Sequence, residues 1–130
     1  MDKNRYLRSR LRSIGVALEG IKYVLITQQN ARIHAVFTLA VFLVGWLFQL
    51  NRLEWICLLL TVSLVWMAEI FNTAVEKTVD VISPGQHTDA KIIKDISAGA
   101  VLVSVLVAIL VGILIFGPHL WFWLLRLVSS

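Results

Sequence analysis

Met67-Ala-Glu-Ile-Phe-Asn-Thr-Ala-Val-Glu-Lys-Thr-Val-Asp80 decides how the rest of the chain is read. It closes a long apolar run that begins near Trp55, yet it carries Glu69, Asn72, Thr73, Glu76 and Asp80. Steps of three, one, three and four residues put those five on one narrow face of an α-helix. Ile70, Phe71, Val75 and Val79 fill the other sides. A polar stripe entering a helix of hydrocarbon length is energetically expensive, so it calls for a reason.

Composition places that stripe in a membrane. The 130 residues are 58% hydrophobic, and the mean hydropathy is +0.82, far above an ordinary soluble domain. At this length we expect a single membrane domain over residues 1–130, with no room for a separate soluble catalytic unit. Any chemistry must then be built from the spans and their margins. The net charge of +4 is concentrated at the start: the first 32 residues hold seven Lys and Arg against Asp2 and Glu19. That balance suits an anionic bilayer surface better than nucleic acid. Cys57 is the single cysteine, which excludes an intrachain disulfide, and its place in an apolar run reads as a small core residue. Basic residues spread over Lys3 to Arg12 with no compact apolar region behind them, unlike a cleavable signal peptide.

Working outward, Leu7, Leu11, Ile14, Leu18, Ile21 and Leu25 recur at helical spacing within residues 1–30, with Arg5, Arg8 and Arg12 on another side. This is the pattern of an amphipathic helix lying on the cytoplasmic surface. A plain anchor suffices as its role; a compatible one is that Arg8, Arg10 or Arg12 meets a phosphate. Residues 28–34 form a polar bridge, and residues 33–50 are just long enough to cross the bilayer. Trp46 falls toward the far interface, residues 51–54 read as a tight outer loop, and Trp55 opens the return span, residues 55–81. That second span is too long for the bilayer, so its last two turns should protrude into the cytoplasm. Glu69 then falls inside the inner leaflet, Glu76 near the headgroups and Asp80 in water. Pro84-Gly85 breaks the helix, with Thr88 or Asp89 expected to cap the next one. A third span over residues 90–117 should stop at Gly117-Pro118. Ser97-Ala98-Gly99-Ala100 gives it a thin side for close approach of another backbone. Residues 118–130, rich in aromatics, read as an interfacial tail outside.

Three spans with a basic start put the N-terminus in the cytoplasm and the C-terminus outside. Gln28, Glu76, Asp80, His87, Lys94 and Asp95 then collect at one membrane face. Carboxylates such as Glu76 hold Mg²⁺ through oxygen, and Mg²⁺ commonly bridges phosphate oxygens. Lys94 adds a positive point charge for those phosphates. Glu69, set deeper, is placed to accept a proton from a lipid hydroxyl. Phosphoryl transfer to a lipid alcohol fits this set, although no Walker-type glycine loop and no His-Arg-Asp loop is present. Two other readings fit the same residues: a proton relay through Glu69 in a small transporter, or charges that only lock helices together with Lys94 and Arg32.

The stretch from Glu69 to Asp80 resembles the signature of the prokaryotic diacylglycerol kinase family, which includes undecaprenol kinases. Asn30-Ala-Arg-Ile-His34 and the run from His87 through Lys94-Asp95 to Val101 resemble the same family in order and spacing, so the likeness covers roughly residues 8–118. The resemblance implies an all-α integral-membrane homotrimer, each chain with a surface helix and three transmembrane helices, in a bacterial inner membrane with its sites between subunits. It implies an ATP-dependent lipid kinase in which Glu69 is the general base and Glu76 a metal ligand for Mg-ATP. Asn72 lies beside Glu76, Asp80 joins the nucleotide set, Lys94 and Asp95 contact the nucleotide, and Gly85, Gln86 and His87 form the loop against it. Arg12, Arg32, Glu69 and Ala98 line the lipid side. Without the family, His87 reads as a solvated loop residue.

Gln28 departs from the pattern. It stands where the family usually has a glutamate sharing the metal with Glu76. A neutral amide keeps an oxygen but removes one negative charge, so weaker Mg²⁺ binding is expected. Ala31, where an aromatic residue is common, is a smaller departure. The Arg-Ile-His and Asp-Ile-Ser-Ala-Gly-Ala versions look more like undecaprenol kinases than diacylglycerol enzymes.

Overall fold

A computed structural model describes the chain from residue 3 to residue 129, residue 86 excepted, and its side chains from residue 10 onward. Gln86 and the side chain of Arg8 therefore lie outside the described residues. Four helices follow one another: α1 (Lys3–Thr27), α2 (Gln29–Leu47), α3 (Arg52–Ile82) and α4 (Thr88–Val128). The last three are long and apolar enough to cross a membrane. At 1.5 Å per residue they measure about 28, 46 and 61 Å, against a hydrocarbon core of about 30 Å.

The breaks have local causes. Between α1 and α2 a single residue, Gln28, takes an extended conformation (φ −100°, ψ 122°), so one bend redirects the chain. After α2, Gln49 adopts a left-handed φ of 54° and its N–H donates to the Trp46 carbonyl, closing the turn. Asn51, expected as plain outer loop, instead caps α3. Its Oδ1 accepts from the N–H groups of Leu53 and Glu54 at 2.9 and 3.0 Å. Glu54 reaches back to the Asn51 N–H at 2.8 Å, completing a reciprocal capping box. Gly85 has φ +146°, a conformation that L side chains rarely adopt, and it turns the chain from α3 into α4.

α3 and α4 pack along their length, and α2 rests on α3. At the end that carries the α2–α3 turn, expected to face outward, Leu50, Leu58 and Ile115 form a buried cluster, flanked by Phe48, Trp55 and Phe116. Gly45 lets this corner pack closely: a Cβ would stand 3.0 Å from Leu50 Cδ1 and 3.1 Å from the Trp55 ring. Across α2 and α3, Trp66 Nε1 donates to Thr38 Oγ1 at 3.0 Å. The C-terminal part of α1 closes on this frame. Val24 is buried, Ala31 is fully inaccessible, and the Lys77 ammonium of α3 lies 6.0 Å from the Tyr23 ring centroid. The closure also accounts for Ala31, because a side chain with no accessible surface leaves an aromatic ring no place in this junction. The remaining apolar stripe of α1, Leu11, Ile14 and Leu18, is exposed.

Three expectations are corrected. The third span does not stop at Gly117-Pro118; α4 runs through both to Val128, so residues 118–128 continue a helix. Proline removes one N–H and its ring crowds the carbonyl four residues back, at about 3 kcal/mol in a helix interior. Here the turn is held from outside: His119 Nε2 lies 3.1 Å from Glu54 Oε1, and its ring stacks on Phe48 with centroids 5.9 Å apart. Second, neither Thr88 nor Asp89 caps α4. His87 occupies the cap position without a side-chain hydrogen bond, and its carbonyl accepts from the Lys91 N–H at 3.1 Å. Asp89 lies in the first turn, where its charge favours the helix N-terminus. Third, Cys57 is exposed on α3 and is no core residue. On the thin side of α4, Ser97 meets α3, whereas a Cβ on Gly99 would meet nothing within 4 Å.

Candidate functional site

The stripe of α3 grades from buried to solvated along the helix. Glu69 has 1% of its surface accessible, Asn72 and Thr73 are buried, Glu76 is half-buried and Asp80 is exposed. Each does something different. Thr73 Oγ1 donates to the Glu69 carbonyl at 2.9 Å, so its hydroxyl is satisfied within its own helix. Asn72 is the junction. Its Nδ2 donates to Glu76 Oε1 at 3.1 Å, and its Oδ1 accepts from Ser97 Oγ of α4 at 2.6 Å. That pair fixes the Asn72 amide and aims one Glu76 oxygen along the helix.

At the C-terminal end of α3, α4 closes on it through an ion pair, Lys94 Nζ to Asp80 Oδ1. Val79, Asp80, Gly85, His87, Lys91 and Lys94 are among the residues lining an open cleft of about 610 Å³. Two ammonium groups, a turn glycine and a helix N-terminus on one cleft form a suitable cradle for anionic oxygen atoms. Asp80 occupies Lys94 in this arrangement, so an incoming phosphate must compete for that ammonium.

The other expected residues stand apart. Arg12, Arg32, Asp95 and Ala98 are exposed. Gln28 is half-buried in the α1–α2 break; its backbone N–H donates to the Val24 carbonyl at 2.9 Å. Among the described residues no hydrogen bond joins the Gln28 side chain to Glu76, and no group of three or more His, Cys, Asp and Glu forms a metal cage. Mg²⁺ is ordinarily held by one or two carboxylates, with phosphates and water completing its shell. Glu76, with only one oxygen engaged by Asn72, fits that requirement.

Two side chains the sequence reading missed belong to the neighbourhood. Ser97, expected on a thin helix face, joins Asn72 through its hydroxyl. His34 belongs to the polar bridge and to the run over residues 30–34 that carries the family resemblance, with no role of its own. In the structure its Nε2 is 3.9 Å from Glu69 Oε2. The sequence held only a partial signal, an imidazole at the margin of a span; that it meets Glu69 depends on how α2 packs on α3.

Comparison with known proteins places the chain in a family. Residues 15–116 match the sequence pattern of the family described as prokaryotic diacylglycerol kinase. The chain is 37% identical over 119 residues to an undecaprenol kinase of Bacillus subtilis, covering 92% of this chain and 94% of that one. It is 40% identical over 101 residues to a diacylglycerol kinase of Synechocystis, covering 77% and 58%. A diacylglycerol kinase of Escherichia coli is 28% identical over 110 residues, covering 84% and 89%. With the family pattern covering residues 15–116, and so part or all of every helix, the chain belongs to the prokaryotic diacylglycerol kinase family.

Proposed function

We propose that this protein transfers the γ-phosphoryl group of ATP to the hydroxyl of undecaprenol, with diacylglycerol as the alternative acceptor. Membership in the family makes it a membrane lipid kinase, a phosphotransferase with an alcohol acceptor. The longer identity-matched length of the undecaprenol kinase, 119 residues against 101 and 110, supports the polyprenol as acceptor.

The observation that carries the mechanism is Glu69: a carboxylate with 1% accessible surface whose Oε2 has no hydrogen-bond partner. Buried carboxylates are normally paired, and one that is not is poised to receive a proton. It lies two turns of α3 below Glu76, about 10 Å along the axis. A hydroxyl at Glu69 would stay in the bilayer while the nucleotide sits at the cytoplasmic end of α3. In this reading Asn72 and Ser97 hold Glu76 in position, and Asp80 and Asp95 flank the nucleotide. Lys94 exchanges Asp80 for phosphate oxygens, and Gly85, Gln86 and His87 cover them. Mg²⁺ held by Glu76, with Gln28 as a weaker neutral partner, would neutralise charge on the phosphate oxygens. Arg12, Arg32 and Ala98 border the lipid side. The exposed apolar faces of the spans, and the exposed Arg32, Asp95 and Ala98, support a homotrimer in which a neighbouring chain completes the site. The basic first segment supports a cytoplasmic N-terminus and site in a bacterial inner membrane.

The test is a paired assay. Purified protein incubated with Mg-ATP and either undecaprenol or diacylglycerol should yield undecaprenyl phosphate faster than phosphatidic acid. Failure with both lipids, in protein shown to be folded, would overturn the reading; a faster reaction with diacylglycerol would reverse the acceptor.

A further inference from the structure

We infer that His34 holds the hydroxyl of the lipid alcohol against Glu69; the inference rests on the lipid-kinase reading above. His34 Nε2 and Glu69 Oε2 face each other across α2 and α3 at 3.9 Å. Both atoms are buried, and neither has a hydrogen-bond partner. The gap is too long for a hydrogen bond of about 2.7–3.2 Å, but one oxygen about 2.8 Å from each atom closes it. Two buried polar atoms left facing each other without a hydrogen bond are a cost to folding. A fold that keeps both is pre-arranged for a third group. That group must donate to a carboxylate and accept from an imidazole N–H at once, which a hydroxyl does with a single oxygen.

A water molecule has the same chemistry, and the surroundings favour the alcohol. His34 also lines a cavity of about 360 Å³ that runs between α2, α3 and α4 from Ile33 and Val65 toward Phe116. Along α2 alone, from Ile33 to Val41, the cavity extends about 12 Å. Apart from His34, Thr38 and Thr61 its lining is apolar. Thr38 Oγ1 already accepts from Trp66, and Thr61 Oγ1 donates to the Cys57 carbonyl at 2.7 Å. An apolar cavity of this kind takes hydrocarbon rather than water. The fitting occupant is an amphiphile whose chain lies in the cavity and whose hydroxyl ends at His34.

In the transfer step the O–H bond breaks and its proton passes to Glu69 Oε2. The freed oxygen bonds to the γ-phosphorus of the nucleoside triphosphate. The bond from that phosphorus to the β,γ-bridging oxygen breaks, and its electron pair leaves with the diphosphate. His34 exchanges no proton; its N–H fixes one lone pair of the hydroxyl so that the other faces phosphorus.

Steady-state kinetics with lipid and ATP varied separately on His34→Ala, His34→Gln and His34→Asn tests this. The Gln amide nitrogen reaches the Nε2 position, whereas the shorter Asn does not. His34→Ala and His34→Asn should lose roughly 10- to 100-fold in kcat with the KM for ATP unchanged, and His34→Gln should recover most of that loss. Equal activity in all three variants overturns the assignment. So does a loss seen only as lower thermal stability with kcat of the folded protein intact, the result expected of a bridging water. If His34→Ala fails to fold, the Gln and Asn pair decides. Wild-type protein inactive on both lipids removes the kinase reading and this inference together; an active wild type with unaffected His34 variants removes this inference alone.

Discussion

The two ends of the α3–α4 pair are both joined by polar side chains, but they are finished differently. At the outer end the Asn51 capping box holds Glu54, Glu54 meets His119, and His119 stacks on Phe48, with Gly45 and Leu50 packed beneath. There the polar groups answer one another. At the inner end Asn72 is satisfied between Glu76 and Ser97, while Glu69 Oε2 and His34 Nε2 remain without partners, and Glu76 keeps an oxygen unclaimed by Asn72. A closed polar set rigidifies a fold. An open one, kept at an energetic cost inside apolar surroundings, is where a ligand's own polar atoms complete the count.

The widest break between the two ends should come from Glu69→Gln. Removing the proton acceptor should lower kcat by about 10²- to 10⁴-fold, while size-exclusion chromatography still shows the wild-type assembly. A variant that falls apart first would place Glu69 with the outer end as a structural group. Next in size, Asn51→Ala should act in the opposite sense. Losing the cap should cost about 1 kcal/mol of stability, read as a lower thermal midpoint, with lipid phosphorylation by the folded protein unchanged. A loss of kcat with no loss of stability would show that the ends are not independent. The smallest effect should come from Gln28→Glu. Restoring one negative charge near the nucleotide end should move the Mg²⁺ activation midpoint to lower concentration, by roughly threefold for about 0.7 kcal/mol of added binding. An unchanged curve would remove Gln28 from the metal's surroundings.

Much of the inner end was legible because helical periodicity is a local property. The five polar residues from Glu69 to Asp80 share a face whatever the helix packs against, and the Gly85 turn needs no partner to form. Their grading from buried to exposed comes from the packing of the other helices on α3, which the stripe itself does not encode. What escaped were contacts whose two halves are far apart in the chain. Ser97 looked like a small-residue packing position because its partner, Asn72, is 25 residues away. The outer capping box was spelled out locally, as Asn51 followed three residues later by Glu54, and was passed over as loop. The turn chemistry and the helix start are written with the same residue types.

Sequence alone determined that this chain is a basic segment followed by three helices of membrane length, with one acidic face entering the second. Those properties depend on spacing, hydropathy and charge, which neighbours in the chain settle among themselves. Tertiary structure decided which α4 residues meet that face, that α4 continues through Pro118 because His119 is held by Glu54 and Phe48, and that His34 stands opposite Glu69. Those depend on the rotation and register of one helix against another, set by how the whole side-chain surface packs, and no single stretch encodes them.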